Sequence, residues 1–154
     1  MKIALSADHR GAAAARQLAD RLRSQGHEVA VTGNLSGDTS DYPIPAHRVG
    51  VAVSAGQAER GLLLCGTGLG MCIAANKVRG VRAALAHDEL TAQISRSHND
   101  ANVLCLSADL LGQRLIEKIV EVWLTTPFQG GRHERRLREI TAIEEGKDPS
   151  TIAG

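Results

Sequence analysis

Aromatic side chains are almost missing from this 154-residue chain. Tyr42, Trp123 and Phe128 are the only three, too few to build a platform on which nucleic-acid bases could stack. An excess of one charge is missing too. Eighteen Lys and Arg face seventeen Asp and Glu, a formal net charge of +1, which argues against a dedicated nucleic-acid or membrane-surface binder. No apolar run approaches the roughly 20 residues needed to span a bilayer. The N-terminal apolar stretch is only Ile3-Ala4-Leu5, followed at once by polar residues, so no signal peptide is read. Cysteine is scarce: Cys65, Cys72 and Cys105 are an odd number without CxxC spacing. They give neither a disulfide framework nor a zinc cluster, and they fit a reduced, cytoplasmic setting. The six histidines show no HxH, HExxH or Cys–His spacing, so neither a metal nor a cofactor is expected.

What is present is ordinary globular usage, 43% apolar and 23% charged, in a length suited to one domain. Short β runs alternate with helical ones. Strands are predicted over 2–7, 28–32, 61–65, 81–86 and 102–106, and helices over 11–24, 43–55, 71–78, 89–97, 109–124 and 133–146. The run 61–65 (GLLLC) is wholly apolar, as suits a central strand covered on both faces. The alternation predicts an α/β fold: a three-layer, Rossmann-like, parallel five-stranded sheet with helices on both faces and an extra C-terminal helix. Residues 1–146 form a single domain in this reading, and 147–154 a flexible tail.

Ligands of such folds collect at the C-terminal ends of the strands. The sharpest signal there is Cys65-Gly66-Thr67-Gly68-Leu69-Gly70. Alternate glycines at a helix start expose backbone N–H groups that suit a phosphate or a developing oxyanion. A cysteine just before the turn is placed to act as a base or nucleophile. The plain alternative is a buried core cysteine followed by a turn that needs glycine for tight packing. A dinucleotide site fits less well. Met71 stands where the third glycine of GxGxxG belongs, although Asp88 lies about 20 residues on, as a ribose-binding acid would.

Asp8-His9-Arg10-Gly11 follows the first strand, where a carboxylate beside an imidazole can shuttle protons or hold a sugar hydroxyl. Capping of the next helix is an equally simple role for Asp8. His98-Asn99-Asp100 lies in a polar turn before the fifth strand, where a histidine is ordinarily a solvated loop residue. Arg132 and Arg136 are four apart and share a helix face, so they could clamp a phosphate, or simply belong to a solvated charged face.

Together these segments resemble the B-type ribose-5-phosphate isomerase family, which includes the galactose-6-phosphate isomerase subunits. The matching pieces are Ala7 to Gly11, Asp41-Tyr42-Pro43, CGTGLG at 65–70, Ile73 to Lys77, Ser95 to Val103 and GGRH at 130–133. The resemblance implies an aldose–ketose isomerase working without a metal through a cis-enediol(ate), most simply on ribose 5-phosphate and ribulose 5-phosphate. It implies that Cys65 is the base. The amides of Gly66 to Gly70, with Gly66, Gly68 and Gly70 touching substrate, become the anion hole. Thr67 and His98 would help open the furanose ring, and Asp8 and Asn99 would hold and protonate sugar oxygens. Tyr42 is a substrate contact, and His9, Arg132 and Arg136 are phosphate ligands. A homodimer or homotetramer with sites at the subunit interface is implied, with no nucleic-acid or membrane partner.

One departure stands out. Where many family members carry an arginine in a Gly-x-Arg turn after strand five, this chain reads Ser107-Ala108-Asp109. Arg10 is the residue that would restore the lost charge. The departure leaves open a four- or six-carbon sugar phosphate or an altered sugar. A non-catalytic phosphate- or nucleotide-binding module is the alternative from another class.

Overall fold

Five short apolar runs become five parallel strands. In the computed structural model, which describes residues 1–33 and 35–152, they are β1 (Lys2–Ala7), β2 (Glu28–Val31), β3 (Arg60–Cys65), β4 (Ala83–Leu85) and β5 (Val103–Ser107). Their order across the sheet is β2-β1-β3-β5-β4. Leu62 of β3 sits opposite Leu5 of β1 and Leu104 of β5. The helices are α1 (Ala12–Ser24), α2 (Pro43–Ser54), α3 (Leu69–Ala75), α4 (Glu89–Ser97), α5 (Gln113–Thr125) and α6 (Arg132–Glu144).

The two-residue period of a strand sends alternate side chains to opposite faces. Leu5, Leu62, Leu64, Leu104 and Leu106 pack with residues of α1, α4 and α5, among them Leu18, Ala92, Ile116 and Trp123. Ala4, Leu63, Cys65, Val103 and Cys105 pack with α2 and α3 through Val49, Val53 and Met71. Each fully buried Leu or Ile contributes about 1.5–3 kcal/mol, so the two apolar layers hold the sheet from both sides. This is the predicted three-layer α/β architecture. Among the described residues no helix is long and apolar enough to cross a membrane.

Most elements shift by a residue or two from the expected bounds, and three of the differences bear on the site. β4 has three residues, where the sequence predicts six over 81–86. Side-chain amides take over its main-chain groups: Asn76 brackets the Ala83 amide and carbonyl at 2.9 Å each, and Asn102 Oδ1 accepts from the Arg82 amide at 2.8 Å. Asn102 thus stands in for a ladder partner at Arg82, while Asn76 satisfies main-chain groups on the open edge of β4. α5 begins at Gln113 rather than 109. The chain first turns back on the sheet, with the Asp109 amide bonded to the Gly66 carbonyl and the Leu110 amide to Ser107 Oγ. Leu110, expected on the apolar face of that helix, is exposed. α3 is seven residues, ending at Ala75.

Within the predicted tail, Pro149–Thr151 forms a 3₁₀ turn whose Ser150 amide is capped by Asp148 Oδ1 at 2.9 Å. Ala153 and Gly154 lie outside the described residues. α6 is peripheral, burying only His133 and Ala142. It is tied to the body by Glu144, whose Oε1 accepts from the Gly80 amide at 2.7 Å, and by the Gln129–Ser97 main-chain bond just before it.

Candidate active site

β1 and β5 lead to α1 and α5 on one face of the sheet, whereas β3, between them, leads to α3 on the other. The chain therefore diverges on both sides of the β3 terminus, and such switch points open a crevice. Cys65 ends β3 at that point. It is buried, and its Sγ accepts a hydrogen bond from the Gly68 amide at 3.0 Å. The sulfur thus faces the inside of the glycine turn. All three cysteines are free thiols.

The turn is held from several directions. Gly68 sits at φ 79°, a left-handed conformation that costs other residues about 1–2 kcal/mol. A Cβ there would stand 2.4 Å from Leu85 Cδ1 and 3.1 Å from the Leu106 main chain. The Gly66 carbonyl accepts from Ser107 Oγ at 2.6 Å and from the Asp109 amide at 3.1 Å. Ser107 is a positioning residue that sequence reasoning marked only as a strand end. The Tyr42 ring covers Gly70 so closely that a Cβ there would lie 2.5 Å from it. Thr67 is exposed, with Oγ1 3.4 Å from the Leu69 amide.

Gly68's amide, expected to face substrate, is engaged with the sulfur. The amides of Gly66, Thr67 and Gly70 have no protein partner among the described residues. Any anion site here rests on these loop donors, because a seven-residue helix adds little dipole of its own.

Asp8 lies beside them, buried, with Oδ1 accepting from the Arg10 amide at 2.9 Å and the Gly11 amide at 3.0 Å. One oxygen thus fixes the loop, while no hydrogen bond to Oδ2 is made among the described residues. His9 is exposed, its Nδ1 3.3 Å from the Ser40 carbonyl oxygen. Next to it opens a cavity of about 240 Å³ lined by residues that include Ala7, Ser40, Ile44 and Arg48. Asp88, weighed above as a ribose-binding acid, caps α4 instead. Its Oδ1 accepts from the Thr91 amide at 2.7 Å, and that bond holds the carboxyl below the usual Asp value.

The remaining predicted site residues are elsewhere. α4 runs back from the C-terminal end of β4, so His98, at its end, lies by the N-terminal end of β5. Cys65 is level with Ser107, the last residue of β5. Five strand residues at about 3.3 Å each put the two ends of the sheet roughly 15 Å apart. Thr67 and His98 of one chain therefore do not meet. His98 joins a second cluster instead. Its ring stacks on that of His133 at 4.2 Å between centroids and 11° between planes. Asn99 is exposed beside it, and Arg132 and Arg136 are exposed on the first turns of α6. Burial, aided by the positive charge of His98, Arg132 and Arg136, lowers the His133 imidazole below the usual histidine value.

The turn bearing His98 and Asn99 is stiffened by residues that sequence reasoning missed. Asp100, at φ 43°, accepts from Arg96 Nη1 at 2.7 Å and from Arg82 Nη2 at 2.8 Å. Arg96 is buried, donates also to the Ala101 carbonyl and lies 5.7 Å from the centre of the Trp123 ring. The four-residue spacing of Arg96 and Asp100 was the signal available for that pair. His133 sits within the GGRH segment but was not singled out. Among the described residues no group of three His, Cys, Asp or Glu side chains could hold a metal ion.

Comparison with known proteins agrees with the fold. The model of the family described as Ribose/Galactose Isomerase matches residues 3–140. The chain is 42% identical over 147 residues to ribose-5-phosphate isomerase B of Escherichia coli strain K12, covering 96% of this chain and 99% of that one. The solved structure of Clostridium thermocellum ribose-5-phosphate isomerase B superposes with a TM-score of 0.94 at 44% identity, covering 95% and 99% of the two chains. That of the Mycoplasma genitalium ribose-5-phosphate isomerase B, with bound ribulose-5-phosphate, gives a TM-score of 0.90 at 39% identity, covering 94% and 96%.

Proposed function

The chain belongs to the ribose/galactose isomerase family, and from that premise we propose that it interconverts ribose 5-phosphate and ribulose 5-phosphate by moving a proton between C1 and C2 through a cis-enediolate. The observation that carries this reading is the Cys65 sulfur at the switch point, hydrogen-bonded into a glycine turn with unpartnered amides. Proton abstraction next to a carbonyl is slow because the enediolate is unstable in water. Fixed main-chain donors aimed at the developing oxyanion contribute about 2.7–4 kcal/mol each. Cys65 is the base, and Gly66, Thr67 and Gly70 supply the donors. Asp8 holds sugar hydroxyls with its uncommitted oxygen, Tyr42 roofs the turn, and His9 takes the phosphate.

His98, Asn99, Arg132 and Arg136 belong to the same site in this reading, but to a site completed by a second copy of the chain. A two-fold dimer uses the same surface patch on both subunits, so each His98 cluster can face the partner's Cys65 and form two composite sites. Surface left uncovered in the single chain supports this. Leu69, Ile73, Ile140 and Ile143 are exposed, and an apolar cavity of about 470 Å³ lies between β4 and α6, next to Asn99. We take residues 1–146 as the functional unit, and the cytoplasm, where free thiols stay reduced, as its location.

The test is Cys65→Ala. A general base contributes about 10²–10⁴-fold, so kcat for ribose 5-phosphate falls by at least that range, while melting temperature and affinity for inorganic phosphate stay near wild type. A near-normal kcat in this variant would remove Cys65 from the mechanism. A panel of four-, five- and six-carbon aldose phosphates, read by ketose formation, checks the substrate.

A further inference from the structure

Arg10 and Asp109 leave the sheet from β1 and β5, the two neighbours of β3, and meet across its end. Arg10 Nη2 lies 2.7 Å and Nε 2.8 Å from Asp109 Oδ2. The pair rests on the glycine turn: a Cβ on Gly66 would come within 2.8 Å of Asp109 Oδ2 and 2.9 Å of Arg10 Nε. His9, one residue earlier, reaches the other way, to Ser40. The two side chains of one loop therefore point to different neighbours, Arg10 alone lying over the glycine turn.

The Arg10 and Asp109 side chains are 57% and 34% exposed. An ion pair this exposed adds little to folding, which does not by itself explain a charge pair laid over a turn that needs glycine. The carboxylate engages only the Nε–Nη2 edge of the guanidinium. The Nη1 donors have no partner among the described residues. A planar guanidinium fixed along one edge presents its remaining N–H groups in a set direction, and that geometry suits phosphate oxygens.

We propose that Arg10 is a ligand for the substrate's phosphate and that Asp109 is its positioning residue, holding the guanidinium across Gly66 so that Nη1 faces the crevice. This rests on the sugar-phosphate reading above. Asp109 weakens the local positive field, but it pre-orders a long side chain that otherwise loses its rotamer freedom on binding.

The experiment is steady-state kinetics with ribose 5-phosphate, and competition by inorganic phosphate, on the wild type, Arg10→Ala, Arg10→Lys, Asp109→Ala and the double alanine variant. Arg10→Ala raises KM at least about tenfold, and the inhibition constant of inorganic phosphate in parallel, with kcat within about threefold, the pattern of uniform binding loss. Arg10→Lys recovers only part of this, because a point charge lacks the fork. Asp109→Ala raises KM when Arg10 is present and has no effect in the Arg10→Ala background. An unchanged KM in Arg10→Ala overturns the proposal, as does a fall in kcat at constant KM. An equal effect of Asp109→Ala in both backgrounds overturns the positioning role. If the wild type turns over none of the sugar phosphates, the isomerase reading fails instead. The thermal shift produced by inorganic phosphate, compared between wild type and Arg10→Ala, then still decides whether Arg10 binds phosphate.

Discussion

Gly68→Ala probes the turn at its tightest point. The residue sits at φ 79°, where an alanine pays about 1–2 kcal/mol that glycine does not. Its new Cβ would also meet Leu85 Cδ1 at 2.4 Å and the Leu106 carbonyl carbon and oxygen at 3.1 and 3.2 Å. The Leu85 side chain can rotate away, but the Leu106 main chain belongs to the buried strand β5 and cannot. Overpacking of this kind costs about 1–3 kcal/mol, so the two effects together remove about 2–5 kcal/mol. For a domain of this size each kcal/mol is worth about 2–4 °C in melting temperature, which sets an expected fall of about 4–20 °C. The crowding also pushes the Gly68 amide away from Cys65 Sγ. A displacement of about 1 Å at a reacting group can cost on the order of 10²-fold, so kcat measured well below the new melting temperature should fall by about that factor. Adding Leu85→Ala relieves the flexible contact alone and should return part of the melting temperature but little of the kcat. A Gly68→Ala protein with unchanged melting temperature and unchanged kcat would refute the reasoning from both the backbone and the sulfur contact.

Two further outcomes follow from the second cluster. When Cys65→Ala and His98→Ala subunits are mixed and refolded together, neither parent is active, but a hybrid dimer has one intact composite site. Random pairing then returns about a quarter of wild-type activity, whereas a site confined to one chain returns none. His133 titrates below the ordinary histidine value because it is buried among cations. Below about pH 6.5 the unfolded chain takes up a proton that the folded one refuses, so stability falls with pH from about 6.5 down to the folded value. Melting temperatures between pH 8 and 5 should fall more steeply for wild type than for His133→Gln, and parallel curves would remove this account.

The sheet was legible because its signals are local. β1 and α4 have the expected bounds: one is built around the short apolar run Ile3-Ala4-Leu5, and the other starts at a cap, Asp88, whose partner Thr91 is three residues away. What sequence pattern misplaced depends on contacts between distant segments. At the start of β4 the Arg82 amide bonds the Asn102 side chain, 20 residues away, in place of a strand carbonyl. The start of α5 is delayed by bonds to Gly66, more than 40 residues earlier. Apolar periodicity carries no trace of either.

The same distinction separates the two halves of the candidate site. Cys65, Gly66 to Gly70, Asp8 and His9 were found by one rule, that ligands gather past the C-terminal ends of strands, and all of them lie at that end of the sheet. Arg132 and Arg136 were marked by their four-residue spacing, and His98 and Asn99 took a role only through resemblance; all four lie where a helix has returned to the strands' beginnings. Strand ends sort residues by position within one subunit and say nothing of a neighbour. A histidine with no counterpart within reach of its own Thr67, stacked on a second histidine beside two exposed arginines, is assigned chemistry only by the surface that covers it. On the proposed reading, a two-fold pairing that carries it to the other subunit's thiol is the condition on which ring opening and phosphate clamping would both depend.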